Sequence, residues 1–106
     1  MTNEAPILDP LGKKIYLDPE ICANQNEMHE EEVYDDIATV IKKPALLIEV
    51  NGNKGTEFYY FRSVGWENTL LINVHFHNKR WEAYECRKNP DSNELSILLK
   101  KGKQLL

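Results

Sequence analysis

The chain has 106 residues, a length that suits one domain, and its net charge is −4. Residues 1–50 carry four Lys against eleven Asp and Glu, a charge of −7, whereas residues 51–106 carry a charge of +3. An acidic chain is poorly suited to general nucleic-acid binding, and no apolar run approaches the roughly 20 residues that cross a bilayer. We therefore expect one domain over residues 1–106, with residues 1–8 as a flexible tail and no membrane association.

The cysteines and the first residues indicate a cellular compartment. Cys22 and Cys86 have neither the spacing of metal ligands nor the density of a disulfide scaffold. The first residues lack the basic region and apolar run that are typical of a secretory signal. We expect a cytoplasmic protein with reduced thiols and no cofactor.

The first half of the chain predicts a short strand and one helix. Lys14–Leu17 alternates well enough for an edge strand after the turn signal Asp9–Gly12. Residues 28–42 place apolar side chains on one side at helical spacing and acidic side chains on the other, and Pro44 ends the helix. The apolar side has Met28 or Glu32, then Val33, Ile37, Val40 and Ile41, and the side facing away has Glu31, Asp35, Asp36 and Lys42. The helix carries five carboxylates within seven residues, Glu30, Glu31, Glu32, Asp35 and Asp36.

Four strand-like runs follow, with short turn signals between them. Turn residues between β-branched and aromatic segments are typical of an antiparallel meander. The runs are Pro44–Val50, Glu57–Val64, Thr69–His77 and Trp81–Cys86, and the turns include Asn51–Gly55 and Asn78-Lys79. The sequence therefore predicts hairpins over residues 44–86.

The apolar run at 95–99 fits either a final strand or a helical turn, and we predict a strand. Helix first and sheet second then gives an α+β fold. The expected architecture is an N-terminal helical segment packed on one face of a four- to five-stranded antiparallel sheet.

Strand alternation collects ionisable groups on one face of this sheet. It separates Ile72, Val74 and Phe76 from Asn73, His75 and His77 in the third run. The two histidines are suited to binding a metal or contacting a phosphate. Because no Cys or Asp cluster supplies the further ligands of a zinc site, we predict no metal site.

Three other candidate residues lie on the neighbouring runs. Arg62 shares a face with Phe58 and Tyr60, and Glu82 and Tyr84 share a face of the fourth run with Cys86. If the polar faces coincide, Glu82, Tyr84, His75, Arg62 and His29 are neighbours. A carboxylate, an imidazole and an arginine are the parts of a ribonuclease: a base, an acid and a cation for the phosphate. The alternative is that each of these residues is an ordinary surface residue. In that case Glu82 would pair with Arg80 or Lys79.

Several short motifs resemble the phage- and toxin-associated nuclease domains of the barnase/EndoU/colicin/RelE (BECR) fold. They include Asp9–Leu17, His29 ahead of a helix, Ile37–Pro44, Tyr59–Arg62, Leu70–Val74, Glu82–Tyr84 and Lys100–Gly102. The resemblance implies a metal-independent RNA endonuclease with His29, Arg62, His75, Glu82 and Tyr84 at its site. The chain departs from the pattern at Glu82, where the family tends to have threonine, and near Asn24, where it tends to have histidine. Loss of either group would leave the architecture with little or no nuclease activity.

Two functions therefore compete. The first is a ribonuclease or an inactive relative of one, with RNA as its partner. The second is a non-catalytic, immunity-type protein whose acidic helix 28–42 binds a basic protein. A homodimer through an open sheet edge or through Leu98-Leu99 and Leu105-Leu106 is compatible with either.

Overall fold

A computed structural model describes residues 5–18, 21, 30–65 and 68–106, with the backbone alone for residues 30–33. In chain order its elements are β1 (Ile7–Leu8), β2 (Lys14–Leu17), α1 (Glu30–Lys42), β3 (Leu46–Gly52), β4 (Gly55–Val64), β5 (Asn68–His77), β6 (Arg80–Lys88), α2 (Ser92–Lys101) and β7 (Lys103–Gln104).

The predicted meander is confirmed, since β3, β4, β5 and β6 pair antiparallel in sequence order. Its turns have the backbone that the turn residues favour. Asn78 and Lys79 both have positive φ, 51° and 64°, as the two central residues of a hairpin turn with right-handed twist do. Gly55, at φ 118°, begins β4 in a conformation that disfavours other residues.

The expected architecture around the meander is wrong. Over the described residues the sheet has seven strands in the order β1-β2-β6-β5-β4-β3-β7 and is curled, and two strands precede α1. It is mixed, because β2 runs parallel to β6 and lies between β6 and β1. The outermost strands have two residues each, too few to show alternation in a sequence. Ile7 and Leu8, which we expected in a flexible tail, form β1.

Residues 92–101 form a helix, so the predicted strand at 95–99 is wrong. The Asp91 side chain accepts a hydrogen bond from the Asn93 N–H as the N-cap, and Glu94 lies in the first turn. Leu98 is buried against Ile48 and Leu71. Capping and tertiary packing therefore override an apolar run that fits a strand equally well.

The helices α1 and α2 cover opposite faces of the sheet. On the α1 face, buried residues of α1 such as Ile37 and Ile41 pack with Tyr60, Ile72 and the rest of the larger core cluster. On the α2 face, α2 covers a smaller cluster around Ile48 and Leu71. The predicted helix is confirmed for residues 30–42, and residues 28 and 29 lie outside the described residues. No helix in the described part of the chain is long and apolar enough to span a membrane.

A buried carboxylate ties the β1–β2 turn to the core. Asp9 is 5% exposed and accepts hydrogen bonds from the Tyr60 hydroxyl at 2.6 Å and the Lys13 amide at 2.7 Å. The Lys13 ammonium lies 2.9 Å from the same carboxylate. Burial alone raises the pKa of Asp9, but the bonds from Tyr60 and Lys13 outweigh burial and lower the pKa below its ordinary value of 3.8. Asp9 is therefore a satisfied structural ion.

Candidate functional site

A row of ionisable side chains crosses three strands on the α2 face. His75 on β5 lies directly opposite Glu57 on β4 and directly opposite Glu82 on β6. Residues opposite each other in antiparallel strands share a face, with Cβ atoms about 4.5–5.5 Å apart. His75 is therefore flanked by one glutamate on each neighbouring strand.

Tyr84 connects this row to a buried amide. Its hydroxyl donates a hydrogen bond to Glu57 Oε1 at 2.6 Å and accepts one from Asn73 Nδ2 at 2.5 Å. Burial raises the pKa of Tyr84 far above its ordinary value, and the bond to Glu57 raises it further. The phenol therefore stays protonated and holds the Glu57 carboxylate in place.

Tyr84 reaches this position through a β-bulge. Asn73 pairs with Glu85 and Val74 pairs with Ala83, so Tyr84 is the extra residue of β6. Cys86, which alternation places with Glu82 and Tyr84, packs instead against the core on the α1 face. The predicted grouping of Glu82, Tyr84 and Cys86 is therefore wrong for Cys86.

The two imidazoles and the phenol form a stack of rings. The His75 ring lies 4.0 Å from the Tyr84 ring with 27° between their planes, and the His77 ring lies 5.4 Å from His75 with 22° between planes. His75 is half-buried and His77 is exposed. The stack fixes the plane of the His75 imidazole beside Glu57.

Glu82 is held by the nearest arginine. It is 8% exposed, and its carboxylate lies 2.9 Å from Nε of Arg80. The Arg80 guanidinium lies 4.6 Å from the centre of the Tyr16 ring. Glu82 is therefore placed to orient a guanidinium, and the Arg80 side chain is 45% exposed.

A half-open cleft of about 690 Å³ borders the row, between the β3–β4 and β5–β6 hairpins. The last pair of β4 and β5 is Glu57 with His75, although β4 begins at Gly55 and β5 continues to His77. The two strands therefore separate at this end of the sheet. The lining is Gly52 to Glu57, His75, Phe76, Trp81 and Tyr84.

Arg62 lies on the other face of the sheet. It pairs with Leu70, a member of the core cluster on the α1 face, and its Nη1 donates to the Lys43 carbonyl at 2.8 Å, just beyond the end of α1. The structure therefore brings His75, Glu82 and Tyr84 together and separates Arg62 from them. His29, the fifth predicted site residue, lies outside the described residues.

Sequence reasoning missed Glu57 and Asn73 as members of the site, and it gave Arg80 only as a surface partner of Glu82, a pairing that the structure confirms. The turn at Asn78-Lys79 implies that Arg80 pairs with His77 and so shares its face, a signal that the sequence contains. The bulge at Tyr84 has no such signal. Within the described ranges, no group of three or more His, Cys, Asp or Glu side chains is arranged to hold a metal ion.

Comparison with known proteins gives no relative. No protein-family model matches the chain, and neither a curated protein nor a solved structure matches it.

Proposed function

We propose that the chain is a metal-independent ribonuclease in which Glu57 and His75 form the acid–base pair. The observation that supports this most is their direct opposition across β4 and β5, with the carboxylate held by Tyr84 and the imidazole stacked on the same tyrosine. A base and an acid on either side of one phosphate are what cleavage through the 2′-hydroxyl requires.

The chemistry divides between the two groups. The Glu57 carboxylate takes the proton of the ribose 2′-hydroxyl as the 2′-oxygen forms a bond to phosphorus. Protonated His75 gives a proton to the 5′-oxygen as the bond between phosphorus and that oxygen breaks. The products are a 2′,3′-cyclic phosphate and a 5′-hydroxyl, with no net gain or loss of protons.

Cations beside the row supply attraction for the phosphate. Arg80, positioned by Glu82, takes the place that the sequence assigned to Arg62, and Lys54 and Lys79 are exposed on the two hairpins. A guanidinium and ammonium groups stabilise the charge that develops on a phosphorane. The charge of +3 over residues 51–106 favours RNA at this end of an otherwise acidic chain. We place this activity in the cytoplasm, where RNA is available.

The test is RNA cleavage in the presence of EDTA. We expect wild type to cleave, and His75→Ala and Glu57→Gln to be about 100-fold slower or worse. Glu85→Gln is the matched control, because Glu85 is an exposed carboxylate of the same face opposite Asn73. An RNA substrate with a 2′-deoxy nucleotide at the cleaved position should resist cleavage, because it lacks the attacking hydroxyl. Mass spectrometry of the products of the normal substrate should find the 2′,3′-cyclic phosphate. Circular dichroism confirms that each variant is folded.

Two results would overturn the proposal. One is a folded wild type that cleaves no RNA across varied sequences. The other is cleavage that persists at the wild-type rate in both variants, which would indicate a contaminating nuclease.

The competing proposal is the non-catalytic protein that binds a basic partner through helix 28–42. Asp35 is exposed on α1, while Ile37, Val40 and Ile41 are buried on the side that faces the sheet. Asp35→Lys should weaken the binding of such a basic partner. The same variant should leave RNA cleavage unchanged, because α1 packs on the face opposite Glu57 and His75.

A further inference from the structure

Phe76 is an exposed aromatic ring near the end of β5, a strand that is buried only in its middle, at residues 70–74. The preceding residues of β5 on the same face, Ile72 and Val74, are fully buried, whereas Phe76 is 58% exposed. Its ring contacts Trp81 edge-on at 5.2 Å, and Trp81 in turn contacts Phe58 edge-on at 5.1 Å. The Phe76 ring is therefore held by Trp81 while most of its surface is exposed to solvent.

The cleft brings this ring to the acid–base pair. His75 and Phe76 are consecutive, so their side chains leave β5 on opposite sides. Because β4 separates from β5 beyond Glu57, the gap between the strands joins the two sides, and one cleft is lined by Glu57, His75 and Phe76 together. A phosphate beside His75 consequently has its nucleoside within reach of the Phe76 ring.

The size of the cleft suits one nucleotide, and lysines lie in its lining and on the facing hairpin. Its volume of about 690 Å³ lies within the range of about 300–1,000 Å³ that is usual for small-ligand sites. Lys54 lies in the lining, and the exposed Lys79 belongs to the facing hairpin. Bases stack on aromatic side chains when they are free of a duplex, which is how proteins commonly bind single-stranded RNA.

We propose that the substrate is single-stranded RNA and that Phe76 stacks the nucleobase next to the cleaved phosphate. This inference rests on the proposed function for the position of the phosphate. Phe76 acts in binding only, so its contribution is measurable without catalysis.

The experiment separates binding from cleavage. Fluorescence anisotropy measures the Kd of a labelled single-stranded 10-nucleotide RNA for Glu57→Gln, which removes the base and keeps the cleft. Adding Phe76→Ala to this variant should weaken binding about tenfold. Phe76→Tyr in the same Glu57→Gln background should keep the affinity of Glu57→Gln alone, because tyrosine also offers a ring for stacking. Ile97→Ala is the matched control, since Ile97 is a 50% exposed apolar residue on α2. A duplex of the same RNA should bind more weakly than the single strand.

The outcomes distinguish the two proposals. Cleavage by wild type together with unchanged binding in Phe76→Ala would overturn the stacking role and leave the ribonuclease in place. Binding that depends on Phe76 without any cleavage would support the stacking role and overturn the acid–base assignment. Equal affinity for the duplex would overturn the single-strand preference.

Discussion

Glu57 and His75 lie opposite each other at the last pair before β4 and β5 separate. A pair within the paired part of a sheet has neighbours on both strands, whereas this pair borders an open cleft. A substrate can therefore approach it from the end of the sheet as well as from the α2 face.

Tyr84→Phe should lower kcat for RNA cleavage about tenfold or more and leave KM nearly unchanged. The variant keeps the ring that stacks on His75 but loses the hydroxyl that holds Glu57. Steady-state kinetics on wild type, Tyr84→Phe and the control Tyr34→Phe would measure this, since Tyr34 lies on α1 at the other face. An unchanged kcat would show that Tyr84 does not position the carboxylate.

Arg62→Ala should leave cleavage within about twofold of wild type, because the guanidinium bonds to the Lys43 carbonyl on the α1 face. Arg80→Ala should slow cleavage by at least about tenfold. Parallel rate measurements on the two variants decide which arginine serves the phosphate. If only Arg62→Ala slowed cleavage strongly, the prediction from sequence that Arg62 binds the phosphate would be correct.

Asp9→Asn should lower the free energy of unfolding at pH 7 by about 3 kcal/mol, because it leaves Lys13 without its buried partner. The pKa of Asp9 in the folded state is below its ordinary value of 3.8. The carboxylate therefore stabilises the fold above pH 3.8, and this contribution is lost as the pH falls through the folded-state pKa. Urea unfolding at pH 7 and pH 3 should show a smaller difference between wild type and variant at the lower pH. A constant difference would contradict this linkage.

Leu98→Ala should cost about 3 kcal/mol of unfolding free energy, whereas Leu99→Ala should cost about 0.5 kcal/mol or less. Leu98 is 8% exposed and packs on Ile48 and Leu71, while Leu99 is 42% exposed. Thermal or urea unfolding of the two variants tests the helix directly. In a strand, Leu95, Ile97 and Leu99 would share one face, so Leu99 rather than Leu98 would be buried with them.

Gly102→Ala should destabilise the protein by about 2 kcal/mol through overpacking. A Cβ at Gly102 would lie 2.5 Å from Ile48 Cγ2 and 2.6 Å from the Glu49 carbonyl oxygen. Gly52→Ala is the matched control, because a Cβ there meets only the Gly55 carbonyl oxygen at 3.8 Å. Equal urea midpoints for the two variants would show that α2 and β3 approach less closely.

Local chemistry predicted the elements whose signals lie close together in the chain. The turns at residues 51–55 and 78–79 gave the hairpins, and helical spacing gave the body of α1. The parallel pairing of Ile15 with Trp81 joins residues far apart in sequence and leaves no local pattern. Ser92–Lys101 has both strand and helix character, and only its cap and the burial of Leu98 decide between them.

The candidate site divides in the same way. His75, Glu82 and Tyr84 were predicted as neighbours and share the α2 face in the structure. Arg62 was separated because its pairing with Leu70 fixes it on the α1 face, a matter of register that alternation along one strand cannot show. Glu57 was overlooked for the same reason.

The two-residue strands at the edges of the sheet protect it from adding further strands. β7 pairs with Ile48 and Glu49 of β3, and β1 pairs with Lys14 and Ile15 of β2, so each covers part of a longer strand and itself offers only two residues to an incoming chain. Without β7, the edge would be β3, whose seven residues include the apolar run Leu46–Ile48. Shortening this end of the protein is therefore expected to promote fibrous or amorphous aggregation, so expression variants for crystallography should retain residues 103 and 104.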